Sequence, residues 1–220
     1  MSKSTTTRWT LALLAATLAA ALGGSAQAAR TLDEGRLDVA WFDAAAQFRE
    51  TDEIDYLWVR PGFSLDGRKL RFVAWAEPAF TGEDADDRDA KDRDLARAMN
   101  GDMPRTFADA FSRAFGSRLS TSTTEGDLRV EGRIVDCSTG STAAKIIVGL
   151  GAGSGNVTLD LRFVDAASGQ VMAGLHQRVV SGTTWSTTDS KFAKWVDKMA
   201  RELAARGIEA AYQKGDRVRK

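Results

Sequence analysis

Apolar and polar residues alternate along three segments in the second half of the chain. The first covers residues 128–134 and the second 157–163, and the third, 171–180, follows an Asp-Ala-Ala-Ser-Gly turn at 165–169. A period of two is typical of strands that bury one face. We therefore predict three strands, each with one face in water, and an antiparallel hairpin between the last two.

Two shorter strands are predicted upstream of these. The apolar residues of 55–60 precede a Pro-Gly turn, and alternation returns over residues 70–75. Pro78 is expected to end the second strand, because proline cannot donate a ladder hydrogen bond.

Two segments have the spacing of amphipathic helices. Asp102 and Pro104 are expected to begin the first, and the N-capping residues at 188–190 to begin the second, which stops at Gly207 with an extension at 208–212 left open. The apolar positions are Phe107, Phe111, Ala114, Phe115 and Leu119 in the first helix and Phe192, Val196, Met199 and Leu203 in the second. Strands and helices in this order favour an α+β fold: a two-layer domain with a mainly antiparallel sheet and two amphipathic helices packed on it.

The N-terminal residues have the pattern of a secretory signal peptide. Lys3 and Arg8 precede an apolar run at 9–22, and the small residues Ala26-Gln27-Ala28 form a cleavage-type tripeptide. The apolar run is shorter than the roughly 20 residues of a membrane-spanning helix. Position 29 is an alanine, whereas a lipoprotein carries its acyl chains on a cysteine there, so we expect no lipid anchor.

Cleavage after Ala28 would send the protein to the periplasm. The expected organisation is a signal peptide at 1–28, a single α+β domain at 29–207, and a helix extension with a basic tail at 208–220.

The charge balance excludes one class of partner. The chain has 30 basic and 30 acidic residues, and removal of Lys3 and Arg8 with the signal peptide leaves a net charge of −2. A nucleic-acid-binding protein of this size would carry a basic excess, so we expect no nucleic acid partner.

Cys137 and His176 are the chain's single cysteine and single histidine. Cys137 follows the parity of Arg133, and His176 that of Arg178, which places both on the polar faces of neighbouring strands. A thiol hydrolase would need the imidazole within hydrogen-bond reach of the sulfur and an oxyanion donor, and no pattern specifies either. We expect no catalytic residues and no enzyme, with a Cys-dependent hydrolase as the remaining enzymatic alternative.

The sequence also contains no recognisable metal or cofactor motif. The acidic stretch 83–94 lacks the glycine that a calcium loop starting at Asp84 needs at its sixth position, which is Asp89. Glycines alternate from 149 to 155, but a P-loop would continue with lysine where this chain has Asn156. No cofactor and no metal are therefore expected.

Two interpretations of this glycine-rich run stay open. In the first, its small residues allow close backbone approach within a strand or hairpin. In the second, residues 143–155 form an apolar hairpin that contacts a partner chain or a membrane. The contact residues in the second interpretation are Ile146, Val148, Gly149, Leu150, Gly151, Gly153 and Gly155.

Several of these segments resemble a known group of proteins. Residues 130–140, the glycines of 149–153 and the strand and turn at 157–169 resemble uncharacterised bacterial envelope proteins, many of them lipoproteins, that share a domain of unknown function. The strand and turn are also similar to those in envelope assembly factors and the curli secretion channel family. The resemblance implies an exported, non-enzymatic α+β module with no catalytic residues to transfer.

These observations together predict an exported periplasmic protein that acts through contacts with cell-envelope proteins. The alternative is an oligomeric, membrane-contacting or secretion and assembly accessory protein that uses the hairpin at 143–155. Homo-oligomers are compatible with both.

Overall fold

The computed structural model describes residues 35–82, 85–138, 155–180 and 188–217, all within the unit Glu34–Lys220. Within these ranges lie eight strands of one sheet: β1 Arg49–Glu50, β2 Tyr56–Val59, β3 Lys69–Phe72, β4 Ser120–Ser122, β5 Leu128–Ser138, β6 Asn156–Asp165, β7 Val171–Val180 and β8 Asp216–Arg217. The α-helices there are α1 Val39–Phe42, α2 Ala90–Phe115, α3 Thr188–Arg206 and α4 Ile208–Lys214, with short 3-10 turns at Ala85–Asp87 and Gly116–Arg118.

The sheet is mainly antiparallel, and the fold is α+β as predicted. Its strand order is β4-β3-β5-β6-β7-β2-β1-β8. The predicted hairpin between β6 and β7 is confirmed, with Leu161 opposite Leu175. The long strands β5, β6 and β7 form the centre of the sheet.

The two predicted upstream strands, β2 and β3, lie on opposite sides of these three central strands. Their sequences did not indicate this separation. β2 pairs antiparallel with β7, whereas β3 pairs parallel with both β4 and β5. Parallel neighbours need a crossover, and α2 supplies it between β3 and β4. The sheet is therefore antiparallel except around β3.

Helix α2 begins twelve residues before the expected position. Its N-cap is Asp89, whose carboxylate accepts a hydrogen bond of 2.9 Å from the backbone N–H of Asp92. Acidic residues suit a helix N-terminus because they face its unpaired N–H groups, so part of the acidic stretch starts the helix. Pro104 lies inside α2 rather than at its first turn.

The main core lies between the sheet and the helices α2 and α3. The predicted apolar stripes are buried except for the half-buried Ala114, and Leu119 lies beyond the end of α2. The Phe107 ring lies 6.0 Å from that of Phe192, and the Phe111 ring lies 6.0 Å from that of Phe163 in β6. Gly207, with a φ of 82°, separates α3 from α4. Glycine adopts this left-handed conformation without strain, and the predicted end of α3 at Gly207 is confirmed.

The second face of the sheet differs from the prediction. β6 was expected to have one face in water, yet Thr158 and Asp160 are fully buried, and Gly174 and His176 on the same side of β7 are buried as well. Residues 35–48, here named the N-terminal segment, pack on this face and include α1. The polar side chains remain there because they bind one another.

Candidate functional site

The candidate site is a buried polar network on the second face of the sheet. Arg133, Asp160, His176 and Tyr56 occupy one row across β5, β6, β7 and β2. Asp160 Oδ2 accepts a hydrogen bond of 2.8 Å from Arg133 Nε, and Asp160 Oδ1 lies 2.7 Å from His176 Nδ1. The Asp160 side chain has no solvent exposure and that of His176 has 6%. We call Arg133, Asp160 and His176 the Asp160 network.

The contacts within the Asp160 network indicate the charge of Asp160 and the direction of its hydrogen bonds. The Arg133 guanidinium compensates an ionised Asp160, since a buried charge without a partner is strongly unfavourable. Because an ionised carboxylate only accepts hydrogen bonds, His176 donates to Asp160 through Nδ1. The His176 ring lies edge-on to the Tyr56 ring, with centroids 5.6 Å apart.

The N-terminal segment is held to this network by charged and aromatic contacts. Asp38 accepts a hydrogen bond of 3.3 Å from Arg133 Nη2. The Trp41 ring lies 4.5 Å from the Arg133 guanidinium and 4.3 Å from that of Arg162, so two cations contact one indole. Arg162 also donates to the Trp41 carbonyl oxygen and, through Nε and Nη2, to Glu131 Oε2 at 2.9 and 2.8 Å.

A glycine in β7 allows the N-terminal segment to pack closely on the sheet. A Cβ atom at Gly174 would overlap the Phe42 ring, which is 3% exposed and lies 5.1 Å from the Phe48 ring. Gly174 is therefore required for close approach of α1 to the sheet.

A second buried ion pair lies further along β5. Arg88 donates through Nε and Nη2 to the two oxygens of Asp136, at 2.8 and 3.0 Å, and the Asp136 side chain is 2% exposed. A fork of this kind fixes the loop before α2 to the sheet.

The expectation that Cys137 lies on the polar face of its strand is wrong, and the thiol is not placed beside His176. The register of β5 against β6 shifts between Ile134 and Asp136, so Cys137 lies opposite Val157 in the main core while His176 lies on the second face. One inserted residue in a β-bulge reverses the parity of all later positions. Burial, together with the smaller effect of the nearby carboxylates of Asp136 and Asp92, raises the pKa of the Cys137 thiol from 9.0 to about 12. The thiol is therefore unsuited to nucleophilic catalysis near neutral pH.

A shallow groove of about 200 Å³ lies between β1, β8, α3 and α4. Asp52 in this groove binds Arg206 at 3.1 Å and Lys214 at 3.5 Å. The Lys214 charge and the Arg206 hydrogen bond hold the pKa of Asp52 below its usual value. Because these charges pair with one another, the groove is a weaker candidate than the buried network.

Of the seven predicted contact residues, Ile146, Val148, Gly149, Leu150, Gly151 and Gly153 lie outside the described residues. Gly155 is buried and directly precedes β6. The strand ends on either side of this region meet, since Ser138 pairs with Asn156 and Asn156 with Val180. The contact role of 143–155 stays a prediction.

Sequence reasoning singled out His176 of the network, but as a possible partner of Cys137, and it did not identify Asp160. The hairpin turn at 165–169 sets the register of β6 and β7, and counting back from it places Asp160 opposite His176. Asp38 and Trp41 carry no comparable signal, because their contact with β5 and β6 spans some ninety to one hundred and twenty positions of the chain.

The described residues contain neither a metal-binding cluster nor a membrane-spanning helix. No group of three or more His, Cys, Asp or Glu side chains there is arranged to hold a metal ion. None of the helices described above has both the length and the apolar character needed to cross a membrane.

Several solved structures share distant likeness with this chain. PelC from Paraburkholderia phytofirmans, solved as a dodecamer, is 14% identical, with 67% of this chain and 96% of that chain covered and a TM-score of 0.44. XCC0632 from Xanthomonas campestris, a DUF330 protein, is 10% identical, with 70% and 92% covered and a TM-score of 0.37. CT253 from Chlamydia trachomatis is 9% identical, with 65% and 96% covered and a TM-score of 0.31.

A comparison with curated proteins found no match. The family comparison did: residues 45–184 match the profile of a domain of unknown function, which spans every strand from β1 to β7 and the whole Asp160 network. The chain belongs to this family, DUF4410, and the resemblance to an uncharacterised family is thereby confirmed.

Proposed function

We propose that this protein is exported to the cell envelope and acts there by binding other envelope proteins, without catalysing a reaction. Support for export comes from the basic residues, apolar run and Ala-Gln-Ala tripeptide within 1–28. The resemblance to envelope proteins agrees with this location.

The observation that carries the binding role is the internal pairing of the Asp160 network. Both oxygens of Asp160 are engaged, and Arg133 is bonded to Asp160 and to Asp38. Groups bonded in this way hold the N-terminal segment on the sheet, and a rigid scaffold suits a protein that presents a surface. The network is therefore assigned a structural role.

The contact surface in this proposal is the end of the sheet where residues 143–155 rejoin β6. Val180, at this end, is 39% exposed, and it is opposite Asn156 at the start of β6. An exposed apolar side chain at the end of the sheet where the chain enters β6 favours a contact patch there.

Export is tested by fractionation of cells that express the chain with a C-terminal tag. We expect the protein in the periplasmic or envelope fraction, shortened at its N-terminus. The variant Leu14→Arg interrupts the apolar run and is expected to keep the unprocessed chain in the cytoplasm, while Lys91→Arg serves as a neutral control. Equal fractionation of wild type and Leu14→Arg would remove the export proposal.

The contact surface is tested with a photoreactive amino acid placed at Val148 in intact cells. We expect a discrete crosslinked species, identified by mass spectrometry, that is missing when the same residue is placed at Arg97 on the solvent side of α2. An adduct with a second copy of the chain would favour the oligomeric alternative, and an envelope protein would favour the leading proposal. Identical patterns at positions 148 and 97 would contradict a contact role for 143–155.

A further inference from the structure

We propose that Arg71 and Arg129 form a binding site for a phosphate-type oxyanion on the open part of the second sheet face. The inference rests on the arrangement and bonding of these two arginines and does not depend on where the protein works.

The two arginines are direct neighbours. Arg71 of β3 is paired in register with Arg129 of β5, and the strands are parallel. Leu70 and Phe72 are buried in the main core, and so are Leu128 and Val130, so alternation directs both arginines to the second face. Backbones of paired strands lie about 4.8 Å apart, which brings the two guanidiniums within reach of one ligand.

Positive charge at this position exceeds the negative charge that faces it. Glu131 binds Arg129 through Oε1 at 3.2 Å and Arg162 through Oε2 at 2.8 Å, so one carboxylate already serves two guanidiniums. No carboxylate in the described part of the chain pairs with Arg71. Like charges at paired strand positions repel, and a bound anion would relieve that repulsion.

Partial burial strengthens the attraction for an anion. The Nε atoms of Arg71 and Arg129 are both shielded from solvent and have no hydrogen-bond partner. The Arg129 side chain is nevertheless 40% exposed, against 11% for Arg133, which lies under the N-terminal segment. The terminal nitrogens are thus accessible on guanidiniums that have lost part of their hydration, and charge interactions are stronger where water is partly excluded.

The geometry favours a tetrahedral oxyanion over a carboxylate. A single guanidinium fork already satisfies two oxygens, as the Arg88–Asp136 pair shows. Two adjacent guanidiniums offer donors for three or four oxygens, which phosphate supplies and a carboxylate does not. The same chemistry is present in free phosphate and in phospholipid headgroups.

The test is titration of the purified full chain with inorganic phosphate, followed by calorimetry and by NMR of arginine Nε–H signals, with chloride at matched ionic strength as the reference. We expect saturable binding and shifts of the Arg71 and Arg129 signals. Arg71→Gln should weaken phosphate binding about tenfold, since it removes charge-assisted donors without breaking an ion pair. Arg105→Gln, at a side chain 78% exposed on α2, removes the same charge elsewhere and should bind phosphate like wild type.

A second variant and a second probe keep the result decisive. Arg129→Gln should weaken binding to a similar extent, so the proposal can be judged even if one variant fails to fold. Flotation with phosphatidylglycerol vesicles, compared with phosphatidylcholine vesicles, separates a lipid headgroup from a soluble ligand: capture by the former that Arg71→Gln abolishes supports a headgroup, and phosphate binding alone supports a soluble ligand. The proposal is overturned if phosphate acts no differently from chloride, or if both arginine variants bind phosphate as wild type does.

Discussion

His176 Nδ1 lies 2.7 Å from Oδ1 of Asp160, a carboxylate with no exposure to solvent. The two residues face each other across β6 and β7, and Arg133 binds the other oxygen of the same carboxylate from β5. A single charged side chain therefore ties the three central strands together on the face that the N-terminal segment covers.

Replacement of Asp160 by asparagine is expected to lower the free energy of unfolding by about 3–5 kcal/mol, because it leaves the Arg133 guanidinium buried without a full countercharge. Urea unfolding followed by circular dichroism measures this change. Asp94→Asn, at an exposed pair with Arg97, should change stability by less than about 1 kcal/mol. A similar effect of the two variants would show that the Asp160 network is not a buried ionic network in solution.

Gly174→Ala should displace Phe42 and lower the free energy of unfolding by about 1–3 kcal/mol, because a methyl group at 174 overlaps the aromatic ring. Phe42→Ala alone should cost about 3–5 kcal/mol. The double variant should cost less than the sum, since removal of the ring makes room for the methyl group. Strict additivity in thermal or urea unfolding would indicate that α1 does not pack against β7.

Gly101→Ala should raise the free energy of unfolding instead of lowering it. Gly101 lies inside α2, and a Cβ atom there would have no atom within 4 Å. Alanine loses less backbone entropy in a helix, so the free energy of unfolding should rise by about 0.5–1 kcal/mol. The same unfolding assay checks this, and destabilisation would contradict a continuous helix through residue 101.

The Cys137 thiol should react with iodoacetamide only after unfolding. Its pKa of about 12 in the folded protein keeps it protonated at neutral pH, whereas the ordinary value of 9.0 applies to the unfolded chain. A group with a raised pKa stabilises the fold fully below its unfolded pKa, and this contribution is lost as the pH rises from about 9 towards 12. Unfolding curves over this range should show a smaller loss of stability for Cys137→Val than for wild type.

Two results would contradict the burial of Cys137. Rapid labelling of the folded protein near pH 7, or identical pH profiles for wild type and Cys137→Val, would place Cys137 outside the core.

Local pattern was sufficient for much of the fold. Alternation over 157–163 predicts β6, and the spacing from Phe107 to Phe115 predicts the second half of α2, because both periods are set by backbone geometry within a few residues. The turn at 165–169 predicts the β6–β7 hairpin for the same reason. The beginning of α2 was missed because Pro104 resembles a first-turn proline and the true N-cap, Asp89, lies in a charged stretch.

The amino-acid sequence by itself thus determined the α+β class, the five longer strands β2, β3, β5, β6 and β7, and most of the apolar stripes of the helices. Tertiary structure decided three other properties. Asp160 is buried, the bulge in β5 turns Cys137 to the core face of the sheet, and Arg71 lies beside Arg129. Each depends on which distant segment becomes a neighbour. A charged position on a strand is equally compatible with water and with a buried partner, and only the packing of the N-terminal segment and the strand order select between them.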